Sequence, residues 1–145
     1  MMNPELSILR VPAGSDLFQL SVQLRRAVFI DEQQVPEADE WDGRDDEAGH
    51  WVALYQGDLI GVLRVLWLKD YAKLGRFAIR RDRRGRGFGQ ALFRQVLADL
   101  QTAGRQRYFL EAQVDRVGFY QHYGFHSVGE PYLDAGILHQ AMQNF

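Results

Sequence analysis

The chain has 145 residues, with 17 lysines and arginines against 19 aspartates and glutamates, and it contains no cysteine. This length predicts a single domain over residues 1–145 that can bury a core without disulfide or metal support. The absence of cysteine excludes a disulfide framework, a thiolate zinc site and a cysteine nucleophile. The net charge of −2 disfavours a generally basic nucleic-acid-binding protein.

The N-terminal residues lack a basic region followed by a long apolar stretch, so the sequence predicts no signal peptide. No window approaches the roughly 18 apolar residues that a membrane-spanning helix needs. We therefore expect a cytoplasmic protein. We expect the protein to bind neither nucleic acid nor a membrane, and to contain no metal ion.

The first half of the chain mixes strands and a helix. Alternating apolar residues predict a short strand over 6–11, and Ser15 is suited to cap a helix whose apolar face continues to Val28. Two strands over 51–55 and 59–68 follow, joined by a glycine-containing turn.

The second half contains the most regular helix, which is predicted to begin near Gly87 and end near Gly104. It lies between predicted strands over 74–79 and 108–112. A strand, a glycine-rich turn, a helix and a strand in this order form a βαβ-like unit, whose two strands are expected to be parallel. A short helix over 115–123 capped by Asp115, and strands over 125–128 and 137–142, complete the pattern.

Charge is distributed unevenly along the chain. Residues 37–47 hold seven acids and one base, whereas residues 80–86 hold five arginines and one acid. The acidic segment is either a solvated loop or, together with Trp41, a surface that attracts an ammonium-bearing substrate. A nearby acid would bind such a cation but would also oppose the loss of its proton.

Three glycines in five positions, Gly85, Gly87 and Gly89, follow the arginines and precede the long helix. Glycine costs about 1 kcal/mol against alanine inside a helix, so helix propensity does not explain them. They allow tight backbone curvature in front of a helix N-terminus, which presents free N–H groups to an anion. This arrangement predicts a pyrophosphate site, although a tight helix–strand contact with a solvated basic edge is the alternative. The spacing fits neither the P-loop nor the dinucleotide fingerprint.

These residues resemble a known family. Arg84-x-x-Gly87-x-Gly89, between a strand and an amphipathic helix, is similar to the acetyl-CoA motif of the GNAT superfamily of N-acetyltransferases. Phe119-Tyr120 followed by Tyr123-Gly124-Phe125 is similar to its second motif. Further matches indicate the ElaA-like branch: Val28-Phe29-x-x-Glu32-Gln33, Asp42-Gly43-x-Asp45, His50, Gly75-Arg76, Ala112-Gln113 and Gly136-Ile137-x-His139.

The resemblance implies an α/β (α+β) domain with a mixed, mostly antiparallel sheet, helices on both faces and a central CoA cleft. Backbone amides of the glycine-rich turn would hold the CoA pyrophosphate, and the strand before it would pair with pantetheine and polarise the thioester carbonyl. The implied cofactor-binding residues are Phe77, Ala78, Ile79, Arg84, Gly85, Arg86, Gly87, Phe88, Gly89, Gln90, Gln113, Tyr120 and Tyr123.

The resemblance also implies that Tyr120 protonates the departing CoA thiolate, a role that needs a phenol still protonated at neutral pH. The strand glutamate that some members use as a general base is replaced here by Lys73. The catalytic candidates that remain are Glu111 and Glu32, with His50 and His139 as further possible bases. Acceptor-binding candidates are Glu32, Trp41, His50 and His139.

The function implied is an acetyl-CoA-dependent N-acetyltransferase that moves an acetyl group to a primary amine of a small molecule or peptide by direct attack in a ternary complex. A non-catalytic acyl-CoA sensor or interaction module on the same fold is the alternative. A nucleic-acid-binding role for residues 80–86 is disfavoured because no second basic face or aromatic row accompanies them. A homodimer is possible through an exposed final strand over 137–142.

Overall fold

The computed structural model describes residues 4–145 of the chain. Seven strands form one sheet in the order β1-β2-β3-β4-β5-β7-β6, and all neighbours are antiparallel except β4 and β5. Their bounds are β1 Leu6–Val11, β2 Gly49–Tyr55, β3 Asp58–Trp67, β4 Ala72–Ile79, β5 Tyr108–Gln113, β6 His126–Asp134 and β7 Ile137–Gln143.

Four α-helices accompany the sheet: α1 Asp16–Arg25, α2 Glu37–Glu40, α3 Phe88–Thr102 and α4 Val117–Gln121. A π-helical turn, Arg26–Glu32, continues directly from α1. The predicted cap of α1 is confirmed, because the Ser15 hydroxyl accepts a hydrogen bond from the Phe18 N–H at 3.2 Å. Among residues 4–145, no helix has the length and apolarity to cross a membrane.

The helices pack on both faces of the sheet, as predicted. Successive side chains of β2 point to opposite faces, so Trp51 and Ala53 join the core beneath α3 while Val52 joins the core beneath α1. On the α3 side, Phe93 lies at the centre of an aromatic cluster that includes Phe119 and other rings of the α4 segment. This packing fixes α4 next to the end of β5.

The parallel pair at the centre of the sheet is short. β4 and β5 pair only over Ala72–Leu74 and Tyr108–Leu110, although β4 continues to Ile79 and β5 to Gln113. The predicted parallel βαβ unit is therefore confirmed. After Leu74 and Leu110 the two strands are no longer hydrogen-bonded to each other. A cleft opens between them there, in the middle of the sheet.

A β-bulge displaces β4 at the start of this cleft. Arg64 pairs with Gly75 and Val62 with Ala78, so one extra residue is inserted in β4. Arg76 lies in the bulge with φ of +48°, a conformation that is uncommon for a residue with a side chain.

Three predictions for the C-terminal part were wrong. Asp115 does not cap α4, which begins only at Val117 after a 3₁₀ turn. Strand β6 does not end at residue 128; it continues through Pro131, a residue that an edge strand tolerates. The segment Ile137–Met142 is not an exposed edge, because β7 lies between β5 and β6.

Candidate active site

A cavity of about 850 Å³ occupies the cleft between β4 and β5. Its wall combines the two strands, the glycine-rich turn, α4, the π-helical turn and the hairpin between β6 and β7. The sequence-predicted residues that line it are Glu32, Phe77, Ala78, Ile79, Arg84, Gly85, Gly87, Phe88, Gly89, Glu111, Gln113, Tyr120 and His139. The predicted residues Arg86, Gln90, Tyr123, Trp41 and His50 are not in this wall.

The glycine-rich turn directs the N-terminus of α3 into the cavity. Gly85 and Gly87 have φ of +76° and +84°, so a side chain at either position would strain the turn. Gly87 is the N-cap residue of α3, and no side chain caps the helix or places an acid in its first turn. The first N–H groups of α3 therefore remain free to bind an anion, and the helix dipole favours one.

Arg84 joins this turn to the opposite wall. Its Nε donates to the Ile79 carbonyl oxygen at 2.9 Å, while the guanidinium donates to both carboxylate oxygens of Glu32 at 2.6 and 3.0 Å. The hydrogen bonds from Arg84 lower the pKa of Glu32. Glu32 is thus an ionised partner of Arg84, and this pairing disfavours its taking up a proton.

The other arginines of residues 80–86 make contacts of their own, although Arg83 also lines the cavity. Arg80 pairs with Asp82, and Arg83 and Arg86 lie over the ring of Tyr55. Arg86 also donates to the Tyr55 hydroxyl at 3.2 Å. These contacts orient Arg86 toward β2 rather than into the cavity.

Tyr120 reaches the cavity from α4 on the side of the sheet that α3 covers. Its ring packs on Phe93 and Phe119, with centroid separations of 5.4 and 5.1 Å. Burial raises the pKa of the Tyr120 phenol, so the hydroxyl stays protonated at neutral pH. A rigidly packed, protonated phenol at a cavity wall is suited to donate a proton.

On the other face of the sheet, Glu111 is held between two donors. The Lys73 ammonium lies 2.6 Å from its Oε1, and the Tyr132 hydroxyl donates to its Oε2. Burial alone would raise the pKa of Glu111, but the hydrogen bonds from Lys73 and Tyr132 outweigh it and the pKa is lowered. Lys73, noted in the sequence only as a departure from the family pattern, keeps this carboxylate ionised.

His139 and Gln113 complete this face of the cleft. His139 Nδ1 lies 2.7 Å from the Ile137 carbonyl oxygen, and its ring stacks on Tyr132 with a centroid separation of 6.3 Å. Gln113, at the end of β5, donates to the Gln33 side chain across the cleft at 2.9 Å. The two glutamines connect the sheet to the segment that follows the π-helical turn.

The acidic segment is mostly exposed, but it is anchored to the sheet and is not a free anionic surface. Its three central acids pair with three arginines from α1, β3 and β4, and two of these arginines are almost completely buried. The pairs are Arg25 with Glu40 and Asp45, Arg64 with Asp42 and Asp45, and Arg76 with Glu40 and Asp42. We refer to these six residues as the arginine–acid network. It anchors the segment to the bulge of β4.

His50 and Trp41 belong to the surroundings of this network. His50 is buried, donates from Nε2 to the Asp45 carbonyl oxygen at 2.8 Å, and has a pKa lowered by desolvation. Trp41 packs beneath Arg25 and Arg26. Both side chains are therefore occupied in structural contacts outside the cavity wall.

Comparison with known proteins identifies the family. The sequence model of the Acetyltransferase (GNAT) domain matches residues 18–144. An uncharacterized protein of Bacillus subtilis, YyaT, is 30% identical over 140 residues, which cover 94% of each chain. The chain belongs to the GNAT acetyltransferase family, and the family resemblance found in the sequence is confirmed.

Solved structures agree with this assignment. An acyl-CoA N-acyltransferase from Pseudomonas aeruginosa is 30% identical and superposes with a TM-score of 0.87, covering 97% of this chain and 99% of that chain. Escherichia coli ElaA is also 30% identical, with a TM-score of 0.82 and the same coverage. The predicted fold class is therefore confirmed, including the mixed, mostly antiparallel sheet.

We expect the arginine–acid network to be a main source of stability. Glu40→Gln should lower the free energy of unfolding by about 3–5 kcal/mol, because it removes a buried carboxylate from both Arg25 and Arg76 and leaves three arginines with two acids. Glu47→Gln is the matched control, since its ion pair with Arg44 is exposed and should contribute little. Urea denaturation followed by circular dichroism measures both. Equal effects of the two substitutions would contradict a structural role for the network.

The same network predicts that the free energy of unfolding decreases at acid pH. The hydrogen bond from Arg64 holds the pKa of Asp42 well below its ordinary value, so the folded state favours the ionised form. This contribution is present above the unfolded-state pKa of about 3.9 and is lost as the pH falls through the folded-state pKa. In urea denaturation at successive pH values, wild type should lose stability below about pH 4 more steeply than Asp42→Asn. Parallel curves would contradict the coupling.

Proposed function

We propose that the chain is an acetyl-CoA-dependent N-acetyltransferase, acting as one domain, that moves an acetyl group to a primary amine of a small molecule or peptide. The observation that carries this proposal is the opening of β4 from β5 directly beneath the glycine-rich N-terminus of α3. Membership of the GNAT family supports the reaction class. The amine would attack the thioester directly while both substrates are bound.

The glycine-rich turn is the proposed pyrophosphate site. The free N–H groups at the start of α3 supply donors for phosphate oxygens, and Arg84 holds the turn in place through Ile79 and Glu32. Beyond Leu74, the edge of β4 that faces the cleft has no partner strand. Apart from the Ile79 carbonyl, which accepts from Arg84, its main-chain groups over Phe77–Ile79 are thereby available for the amide groups of pantetheine, and one N–H would polarise the thioester carbonyl.

Tyr120 is the proposed general acid. Direct attack by an amine leaves the CoA sulfur as a thiolate, which is released most readily when a nearby group protonates it. The raised pKa of Tyr120 ensures that the phenol carries its proton, and its packing on Phe93 holds it at the wall of the cleft. This arrangement favours an enzyme over a sensor that only binds the cofactor.

Acetyl-CoA binding tests the pyrophosphate site. Gly87→Trp should abolish micromolar binding in isothermal titration, because the side chain would strain the turn and project into the path of the phosphates. Gly104→Trp is the matched control: its φ is +80°, yet it follows α3 at the far end. Desulfo-CoA should bind like acetyl-CoA. Failure of wild type to bind either ligand would overturn the proposal.

Turnover tests the general acid. With ethanolamine, putrescine, phenethylamine and dialanine as acceptors, Tyr120→Phe should lower kcat about 100-fold or more and leave acetyl-CoA affinity unchanged. The phenylalanine ring preserves the packing on Phe93, so stability should not change. Tyr71→Phe, which removes a hydroxyl beside Phe109 outside the cavity wall, is the control. If wild type binds acetyl-CoA but acetylates none of these amines, the sensor alternative is favoured.

A further inference from the structure

We propose that His139 is the general base, accepting the proton of the acceptor amine at Nε2, with Glu111 as a positioning residue that stabilises the resulting imidazolium. This inference rests on the proposed function, since it supplies the base that amine acetylation requires. Neither the family match nor the glycine-rich motif assigns this role.

The register of the sheet places His139 and Glu111 on the same face of the sheet. His139 of β7 lies opposite Gln113 of β5 and opposite Tyr132 of β6. Glu111 is two residues before Gln113, so its side chain points to the same face of the sheet. The face carrying His139 and Glu111 is opposite to the one on which Tyr120 packs beneath α3. The cleft connects the two faces, and all three residues line its cavity.

A local contact fixes which nitrogen of His139 carries the hydrogen. The Ile137 carbonyl oxygen, 2.7 Å from Nδ1, can only accept a hydrogen bond, so Nδ1 must donate. In the neutral ring, Nε2 then holds the lone pair. Nε2 has no hydrogen-bond partner among residues 4–145, and it is not among the buried atoms that lack one. The basic nitrogen is therefore accessible.

The charged and titratable groups that face His139 come from β4, β5 and β6. Glu111 of β5 faces it diagonally, Tyr132 stacks on its ring, and Asp134 of β6 lines the same cavity. The cation among them, Lys73 of β4, is paired with Glu111. The lowered pKa of Glu111 keeps that carboxylate negative, so Glu111 offsets the charge of Lys73 and the pair adds no net positive charge beside an imidazolium.

The other carboxylates and histidines named as possible bases are less suited to this role. Glu32 binds Arg84 through both oxygens, and Glu111 accepts from Lys73 and Tyr132, one on each oxygen. His50 lies outside the cavity wall and is buried against Asp45. His139 combines a cavity position with a free lone pair.

The proton balance of the reaction then closes. An acceptor bound as an ammonium gives up two protons as its N–C bond forms and the C–S bond breaks. His139 Nε2 takes the first before attack and releases it to solvent. Tyr120 supplies the proton that the departing sulfur takes up, and the second proton from nitrogen restores the phenol through solvent.

The first test compares His139→Gln with His126→Gln, an exposed histidine on β6. With whichever of the four named amines wild type acetylates best, His139→Gln should lower kcat about 100-fold or more. The KM for acetyl-CoA should not change. The decrease of kcat at low pH should also disappear, because that decrease reports protonation of the base. His126→Gln should match wild type in both respects.

The second test addresses Glu111. Glu111→Gln removes a negative charge near His139 and leaves Lys73 unpaired, and both changes oppose an imidazolium. The acid limb of kcat should therefore move to lower pH by roughly one unit. A residue that merely stabilised the fold would change the amount of active protein without moving this limb.

A third measurement does not depend on turnover. Nitrogen-15 NMR of the full chain at pH 8, assigned with His139→Gln, should show the hydrogen on Nδ1 and the lone pair on Nε2. The opposite tautomer would overturn the inference, as would a His139→Gln kcat within threefold of wild type. Failure of wild type to acetylate any of the four amines would instead overturn the proposed function, and the base role with it.

Discussion

The opening of two parallel strands governs the organisation of this molecule. β4 and β5 begin as a hydrogen-bonded pair and part after three residues, which leaves main-chain donors and acceptors unpaired in the middle of a sheet. Unpaired backbone groups are costly unless water or a ligand satisfies them. The cavity lets water or a ligand reach these backbone groups. The strands, turns and helices around the gap between β4 and β5 together form its wall.

Keeping the strands apart requires support on both faces. On one face, the aromatic cluster around Phe93 fixes α3 and α4 against the sheet. On the other, the guanidinium of Arg76 extends from the β4 bulge to two backbone carbonyl oxygens, those of Asp39 and Glu40. These hydrogen bonds hold Arg76 in its positive-φ conformation. They thereby couple the conformation of β4 to the acidic segment.

The parts predicted from sequence are those specified by local patterns. The glycine-rich turn, the amphipathic α3 and the parallel pairing around it follow from glycine spacing, helical periodicity and chain order. The arginine–acid network was not predictable in this way, because Arg25, Arg64 and Arg76 are distant in sequence and an acidic run gives no sign of burial. Tyr132 was also missed, since Gly129 and Pro131 obscure the alternation of β6. Its partner Glu111 was identified, but not the two donors that bind it.

The π-helical turn Arg26–Glu32 has a consequence for how this site tolerates insertions and deletions. Each residue of a regular helix advances the side-chain direction by about 100°. A π-turn accommodates one residue more than an α-turn, and π-bulges recur at functional sites. Deleting a single residue here would restore an ordinary helix and leave Glu32 and Gln33 facing Arg84 and Gln113, whereas a deletion within a regular helix would rotate the side chains that follow by about 100°. The π-helical turn therefore lets this segment lose one residue without changing which side chains face the cleft.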